Sequence, residues 1–283
     1  MTGVNVQRES TAAGAEALAA NRATGQIDLA LRSDGKRTRR FAVHESGSLR
    51  VRFPNASSDV LEAVLINTAG GMTGGDAFSI KISLKDEARL QAGTAAAEKI
   101  YRSIGPDTTV AIAIDAAARS QCFWLPQETI LFDRARLSRR IDINLASDAT
   151  LVMAEAVVFG RSAMGERVRE GRLLDRWRIR RGGRLVFAES VRLDGAINDK
   201  LTQRAIAAGA AAVATLLVVP GAEDNVVAAR AVRGHLIGEV GISAWNDVMV
   251  ARVCAPDGAA LRHDLATLLP VFGGAVLPRL WLQ

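Results

Sequence analysis

Apolar and polar residues alternate in many short stretches of this chain. In residues 77–85, Phe, Ile and Leu at every second position alternate with Ser and Lys. A period of two residues is that of a strand with one buried face. Further stretches with strand character are 27–31, 49–53, 61–66, 110–114, 141–145, 173–180 and 185–193. Arg181-Gly182-Gly183 separates the last two and predicts a hairpin turn. The pattern predicts a mainly β fold.

Two segments have the spacing of amphipathic helices. In residues 256–269, leucines at positions 261, 265, 268 and 269 form one apolar face. Residues 222–233 are the second candidate, because Glu223 and Asp224 suit the positive end of a helix. Residues 91–100 are ambiguous, since their alanines favour a helix and the neighbouring strands favour sheet. We see no internal repeat and no linker, so we expect one domain with about two helices.

Composition and charge narrow the classes of partner. The 283 residues are 49% hydrophobic, and the formal net charge is +6. The arginines at 172, 176, 178 and 180 share one face of a predicted strand, which indicates a basic surface. Such surfaces bind nucleic acid or acidic proteins. Aromatic residues are only 5% of the chain, and no zinc-finger or RNA-binding motif occurs. We therefore favour a protein partner docked on Arg176 and Arg178, and keep a basic nucleic-acid-binding module as an alternative.

Cysteine usage and hydropathy bear on the compartment. The two cysteines make no disulfide framework. No apolar run reaches the roughly 20 residues that span a membrane, and residues 1–20 lack the order of a signal peptide. We expect a cytoplasmic protein with no membrane partner. Residues 1–24 are predicted to form a disordered N-terminal tail, and residues 25–283 a single domain.

The densest glycine cluster is the loop at 67–76, which reads NTAGGMTGGD. Its glycines are Gly70, Gly71, Gly74 and Gly75. A phosphate-binding loop leads into the N-terminus of a helix, whereas a predicted strand follows here. The Gly-Lys-Ser/Thr ending of a P-loop is also missing. We therefore expect no nucleotide site, and a loop that ends in the carboxylate of Asp76.

Two more carboxylates occur in unusual surroundings. Glu155 interrupts residues 151–159, which are otherwise apolar on both faces of a predicted strand. Burying an unpaired carboxylate is costly, so Glu155 either pairs with an arginine in the core or lines a cavity or polar channel. Glu166 ends the loop at 160–166, which is either a solvated turn with a surface ion pair to Arg161 or part of a site.

Conventional catalytic and metal-binding motifs are missing from the sequence. The three histidines lie far apart, and no HxxxH or CxxC spacing occurs. No G-x-S-x-G motif presents a serine nucleophile. A hydrolase that uses Asp76, Glu155 and Glu166 as acid and base remains an alternative.

The glycine loop resembles the GG-x-x-GGD motif of the UreD (also called UreH) family of urease accessory proteins. Five further motifs follow in the order of that family: KIYRS at 99–103, WLPQETILF at 124–132, GRxAMGE at 160–166, RxGRL at 181–185 and LPRxW at 277–281. The resemblance covers residues 25–283. The sequence departs from the family pattern at 47–49, where Gly-Ser-Leu stands in place of Gly-Pro-Leu. The first two dozen residues also match nothing in the family.

The resemblance implies a non-catalytic chaperone that helps to insert nickel into apo-urease and holds no cofactor tightly. It implies binding to a UreF-type accessory protein, which recruits a UreG-type GTPase, and contact with the urease apoprotein. The implied fold is layered β-sheets of helical character with a couple of helices.

The same resemblance suggests roles for individual residues. Nickel accepts oxygen ligands that can release it again. We therefore expect Asp76, Glu155 and Glu166 to form a transient nickel path, with at least two of them facing a cavity or tunnel. The expected partner or motif positions are Gly70, Gly71, Gly74, Gly75, Tyr101, Arg102, Arg161, Arg176 and Arg178.

Overall fold

The computed structural model describes residues 22–54, 59–161, 164–272 and 277–281. The strands are β1 (Thr24–Ser33), β2 (Thr38–Gly47), β3 (Leu49–Arg52), β4 (Leu61–Asn67), β5 (Ala77–Leu84), β6 (Arg89–Thr94), β7 (Glu98–Ile100), β8 (Thr108–Ala116), β9 (Gln121–Trp124), β10 (Thr129–Leu131), β11 (Arg136–Leu145), β12 (Thr150–Phe159), β13 (Glu170–Arg181), β14 (Arg184–Ala196), β15 (Ala212–Val219), β16 (Glu239–Trp245) and β17 (Val248–Ala255). The α-helices are α1 (Ile197–Leu201), α2 (Glu223–Ala231) and α3 (Gly258–Leu268), and short 3-10 helices occur at Arg233–His235, Leu269–Val271 and Arg279–Trp281.

The predicted fold class is confirmed. Helices α2 and α3 lie inside the two segments with helical spacing, and α1 is an additional helix of 5 residues. The ambiguous segment 91–100 belongs to the sheet, because it contributes to β6 and all of β7. Strands β13 and β14 form the expected antiparallel hairpin. Of the predicted tail, residues 1–21 lie outside the described part, and β1 begins at Thr24.

The strands form two sheets between which the chain passes repeatedly. One sheet has seven strands in the order β14-β13-β11-β8-β5-β1-β2. The other has ten strands, in the order β16-β17-β15-β12-β9-β6-β4-β3, with β10 beside β12 and β7 beside β10. From β4 to β13 successive passes add parallel strands to each sheet in turn. Parallel neighbours need a long crossover connection, and here that connection contains a strand of the other sheet. The result is a β-solenoid.

Two apolar layers hold the fold together. The larger lies between the sheets and includes Ile82 and Ile143 of the seven-stranded sheet and Met153 of the ten-stranded sheet. The smaller layer packs the other face of the ten-stranded sheet against α2 and α3, for example Val152 with Leu265 of α3 in the same cluster. Strand β12 is therefore covered on both faces, which explains why it is apolar at nearly every position.

The outer face of the seven-stranded sheet has no covering layer among the described residues. On β5, Phe78 and Ile82 are buried, whereas Ser79 and Lys81 are exposed. This is the pattern that period-two alternation predicts for a sheet with one solvent-exposed face.

Candidate functional site

The glycine loop joins β4 to β5, so a strand follows it, as the sequence predicts. Gly70 and Gly75 adopt φ values of +76° and +90°, a region that favours glycine. Asp76 is 3% exposed. Its Oδ1 accepts a hydrogen bond from Ala23 N at 2.9 Å, and its Oδ2 accepts one from Thr73 N at 2.8 Å. The carboxylate therefore fastens the loop to the start of β1.

Several motif positions meet beside this loop. Tyr101 donates a hydrogen bond to the carbonyl of Gly70 at 3.3 Å, and a Cβ on Gly71 would lie 2.4 Å from the Tyr101 ring. The Tyr101 ring meets Phe132 edge-on, with centroids 5.0 Å apart. The guanidinium of Arg161 lies over the same Phe132 ring, 4.4 Å from its centroid. Close packing of this kind explains why glycine is needed at position 71.

Arg102 and Glu166 belong to the same cluster of loops. The carbonyl of Arg102 accepts a hydrogen bond from the Thr73 hydroxyl at 3.0 Å. Glu166 Oε2 lies 2.7 Å from Arg161 Nε, and this hydrogen bond lowers the pKa of Glu166. Positions 162 and 163 of the motif lie outside the described residues. The Arg161–Glu166 pair is partly exposed, and Glu166 also lines a cleft of about 290 Å³.

Glu155 is the centre of a buried charged cluster between the sheets. Its carboxylate pairs with Arg139 of β11 and accepts a hydrogen bond from Trp124 Nε1 at 2.7 Å. Arg139 also binds Asp175 of β13, with Nη2 2.5 Å from Oδ2. The indole of Trp177 donates to Asp175 Oδ1 at 2.8 Å. Pairing with a core arginine was one of the two interpretations of Glu155 from the sequence.

The cluster combines one positive and two negative charges, so its formal charge is −1 when both carboxylates are ionised. Burial raises the pKa of Glu155, although the charge of Arg139 opposes this rise. Burial also disfavours the charge on Arg139, but Asp175 and Glu155 outweigh that effect and raise its pKa. Arg139 therefore stays charged.

A row of polar side chains leads from this cluster to the surface. Thr215 of β15 lies directly opposite Glu155, and Arg252 of β17 lies opposite Thr215. Directly opposed residues share one face of a sheet, so all three face the seven-stranded sheet. Arg252 Nη1 lies 2.5 Å from Oε1 of Glu189 on β14. The row therefore runs along the inner face of the ten-stranded sheet, from the buried Glu155 to the half-exposed Arg252.

Two cavities adjoin the cluster. The larger, of about 370 Å³, is lined by Glu155, Asp175 and Glu189 among others. The smaller, of about 60 Å³, has Glu98 in its wall. Burial raises the pKa of Glu98, whose Oε2 accepts a hydrogen bond from Asn67 at 3.1 Å. Arg139 and Glu155 belong to the walls of both cavities, so the charged cluster lies between them.

Most members of this site were not among the residues predicted from the sequence. The additional residues are Glu98, Arg139, Asp175, Glu189 and Arg252. A pattern that could have found some of them is a charge at an inward position of an alternating strand. Asp175 stands between the buried Leu173 and Trp177, and Arg139 between the buried Leu137 and Ile141.

The predicted basic face lies on the outer surface of the seven-stranded sheet. Arg176 and Arg178 are exposed, whereas Trp177 and Ile179 are buried. Arg172 on the same face pairs with Asp107 and Asp194 at 3.5 and 3.8 Å. Neither Arg176 nor Arg178 has a carboxylate within ion-pair distance in the described ranges.

The residues that the structure describes contain no group of three or more His, Cys, Asp or Glu side chains that could hold a metal ion. Among these residues, none of the helices has the length and hydropathy needed to cross a membrane.

Fold and site together define a β-solenoid protein with a charged cluster buried between its two sheets. A family model described as UreD urease accessory protein matches residues 23–282. Urease accessory protein UreD 1 of Bradyrhizobium sp. strain ORS 278 is 52% identical over 278 residues, covering 98% of this chain and 100% of the relative. UreD of Rhodopseudomonas palustris strain BisB18 is 55% identical over 265 residues, covering 94% and 96%. The chain therefore belongs to the UreD family of urease accessory proteins.

Family membership confirms the resemblance noted in the sequence. Proteins of this family act in urease maturation and are not catalytic. The hydrolase alternative, with Asp76, Glu155 and Glu166 as acid and base, is therefore set aside.

Proposed function

We propose that this protein is a nickel-insertion chaperone that works in the cytoplasm. It docks on apo-urease with UreF-type and UreG-type accessory proteins, and nickel passes through its interior beside Glu155. One observation carries the path: Glu155 and Arg139 form a wall common to two cavities, and a polar row continues from Glu155 toward the surface.

The charges of the cluster suit a cation in transit. When both carboxylates are ionised, Glu155 and Asp175 outnumber Arg139, so the cluster has a formal excess of one negative charge. A divalent cation is attracted by that excess, while the guanidinium competes with it for the same oxygens. Carboxylate oxygens and water are ligands that a nickel ion can exchange. The arrangement favours passage over storage.

The other two candidate carboxylates have different surroundings. Glu166 lines a surface cleft and is paired with Arg161, so we propose it near an end of the path. Asp76 remains a candidate, although both of its oxygens already accept backbone hydrogen bonds. The residues with geometry most favourable to a path are therefore Glu155 and, beside it, Asp175.

We propose two surfaces for docking. The first is the basic face with Arg176 and Arg178, whose exposed charges lack partners in the described part of the chain. It suits an acidic protein surface, because opposite charges steer association. The second is the loop cluster around Gly70, Tyr101 and Arg161, where the family motifs meet.

The path is tested by Glu155→Gln in cells that co-express urease and its accessory proteins. The substitution keeps the size and removes one charge. We expect unchanged co-purification with the UreF-type partner and apo-urease. We expect urease activity and nickel content to fall about tenfold, because a unit charge a few Å from a cation contributes more than about 1 kcal/mol even at high effective dielectric.

Asp115→Asn is the matched control. Asp115 is exposed on the outer face and accepts a hydrogen bond from Asn144 at 2.8 Å. The control should leave nickel content unchanged. Normal nickel content in the Glu155→Gln sample would refute the path and leave the protein a docking scaffold.

A further inference from the structure

The larger of the two cavities beside the charged cluster, called the large cavity below, has an ion pair at its edge. Arg252 of β17 in the ten-stranded sheet pairs with Glu189 of β14 in the seven-stranded sheet, with 2.5 Å between Nη1 and Oε1. The Arg252 side chain is 54% exposed, whereas that of Glu189 is 10% exposed. Both residues line the cavity. The pair therefore bridges the two sheets where the cavity approaches solvent, with the arginine outside and the carboxylate inside.

The second oxygen of Glu189 has no hydrogen-bond partner in the described part of the chain. Glu189 Oε2 is buried and makes no hydrogen bond to any described residue. Buried polar atoms are nearly always hydrogen-bonded, so an orphan oxygen beside a cavity requires an explanation. Glu155 and Asp175 line the same cavity, and their shared partner Arg139 is engaged by both. The orphan oxygen is thus an unused acceptor in a cavity that two further carboxylates line.

We propose that the large cavity takes up a small hydrated divalent cation through the Arg252–Glu189 pair, with Glu189 Oε2 as its first ligand inside. The proposal deepens the proposed function, on which the biological identity of the cation rests. Arg252 can swing into solvent because it is half exposed. Arg192 also lines the cavity, but its exposed side chain pairs with Asp194 at 3.5 Å. Apart from that pair, Glu155, Asp175 and Glu189 then face Arg139, so the opened cavity carries a formal charge of −2 when all three carboxylates are ionised, and it favours cations over anions.

Cys254 provides a built-in reporter of entry. It lines the cavity and is partly buried. Cys122, the other cysteine of the chain, is fully buried, which raises its pKa to about 12 and keeps its thiol unreactive. Methanethiosulfonate reagents transfer a thioalkyl group to a thiolate, forming a disulfide and releasing methanesulfinate. The labelling rate of Cys254 therefore measures how easily a charged reagent reaches the cavity.

The experiment compares a trimethylammonium reagent with a sulfonate reagent on the purified protein, alone or with its co-purified partner. Mass spectrometry of the Cys254 peptide gives each rate. We expect the cationic reagent to react about tenfold faster, because a cleft of one sign concentrates counter-ions by 10-fold or more. Arg252→Met should accelerate the cationic reagent further. Glu189→Gln should remove most of the preference, and Ni²⁺ should slow labelling in the parent but not in Glu189→Gln.

Arg119→Met is the matched control, since Arg119 forms a surface pair with Glu87 at 3.0 Å away from the cavity lining. It should change neither rate. Equal rates for the two reagents, or a cation preference that survives in Glu189→Gln, would overturn the proposal. This measurement needs no urease, so it is separate from the Glu155→Gln test. Cation-selective labelling of Cys254 would support the cation site even if the Glu155→Gln variant loaded urease with nickel normally. That combination of results would refute only the nickel path.

Discussion

Arg139 and Glu155 form an ion pair that joins the two sheets across the apolar layer. Arg139 lies on β11 and Glu155 on β12, and their side chains are 5% and 3% exposed. A pair this deeply buried adds little net stability, because lost hydration offsets the attraction. Each of the two residues nevertheless needs the other, because either charge would be buried without a partner if the other were removed. Asp175 needs the Arg139 guanidinium for the same reason. The first prediction concerns this dependence.

Arg139→Met should destabilise the protein by about 3–5 kcal/mol, because Glu155 and Asp175 become buried charges without compensation. Urea unfolding followed by circular dichroism measures the change. Arg140→Met is the neighbouring control: Arg140 is exposed and paired with Asp142 at 2.9 Å, so its loss should cost at most about 1 kcal/mol. The triple variant Arg139→Met/Glu155→Gln/Asp175→Asn should recover most of the stability. Equal losses in the Arg139 and Arg140 variants would contradict the role of the cluster.

Glu98 should give the protein a measurable pH dependence. Burial raises the pKa of Glu98 above its usual 4.5. As pH rises from about 4.5, the unfolded chain releases this proton while the folded protein retains it, so the free energy of unfolding falls. Glu98→Gln removes the effect and keeps an oxygen for Asn67. We expect the Tm of the variant relative to the parent to increase from pH 4.5 to pH 8. A difference independent of pH would argue against a raised pKa.

The Asp76→Asn variant tests whether the carboxylate that ends the glycine loop is structural or part of the nickel path. Asp76→Asn replaces one of the two acceptors of the Ala23 and Thr73 N–H groups with a donor. We expect a loss of about 1–3 kcal/mol in the free energy of unfolding, because a buried N–H then lacks a partner. Thermal and urea unfolding measure it. If the variant keeps full stability and partner binding but leaves urease without nickel, Asp76 belongs to the path instead.

Two glycines of the same loop should respond differently to alanine. A Cβ on Gly74 would lie 1.7 Å from the Ser103 hydroxyl oxygen and 2.3 Å from the carbonyl oxygen of Pro106. A Cβ on Gly70 would meet nothing within 4 Å, although its φ is +76°. Gly74→Ala should therefore cost about 3 kcal/mol through overpacking, and Gly70→Ala about 1 kcal/mol through backbone strain. Urea midpoints in the reverse order would show that the loop relaxes around position 74.

The basic face should contribute to docking through charge. Arg176→Glu with Arg178→Glu should weaken capture of the accessory partner, and low salt should make the difference larger. The reversal Lys36→Glu with Arg37→Glu changes the net charge equally at the turn between β1 and β2, toward the opposite edge of the sheet. It is the control and should leave capture unchanged. Equal weakening by the two reversals would indicate a general effect of net charge.

Local sequence patterns predicted much of the secondary structure. Period-two alternation located strands such as β5 and β13, and leucine spacing located α3, because burial on one side imposes the period of the element. The solenoid was not visible in these local patterns, since its coils share a geometry without a repeated sequence, and only the family resemblance implied sheets of helical character. Glu155 was singled out because a lone carboxylate in an apolar strand needs a partner. The pattern did not identify that partner as Arg139.

The sequence by itself determined which side chains face inward and, through ordered motifs, the family. Alternation is a property of each strand, so it could have placed Asp175 and Arg139 at inward positions, but it could not have said what they meet. Only the tertiary structure decided that Arg139, Glu155 and Asp175 meet, because they lie on three strands of two sheets. The coiling of the chain and the register between strands set those distances. The cavities, and the route from Glu155 to Arg252, arise from the same long-range packing.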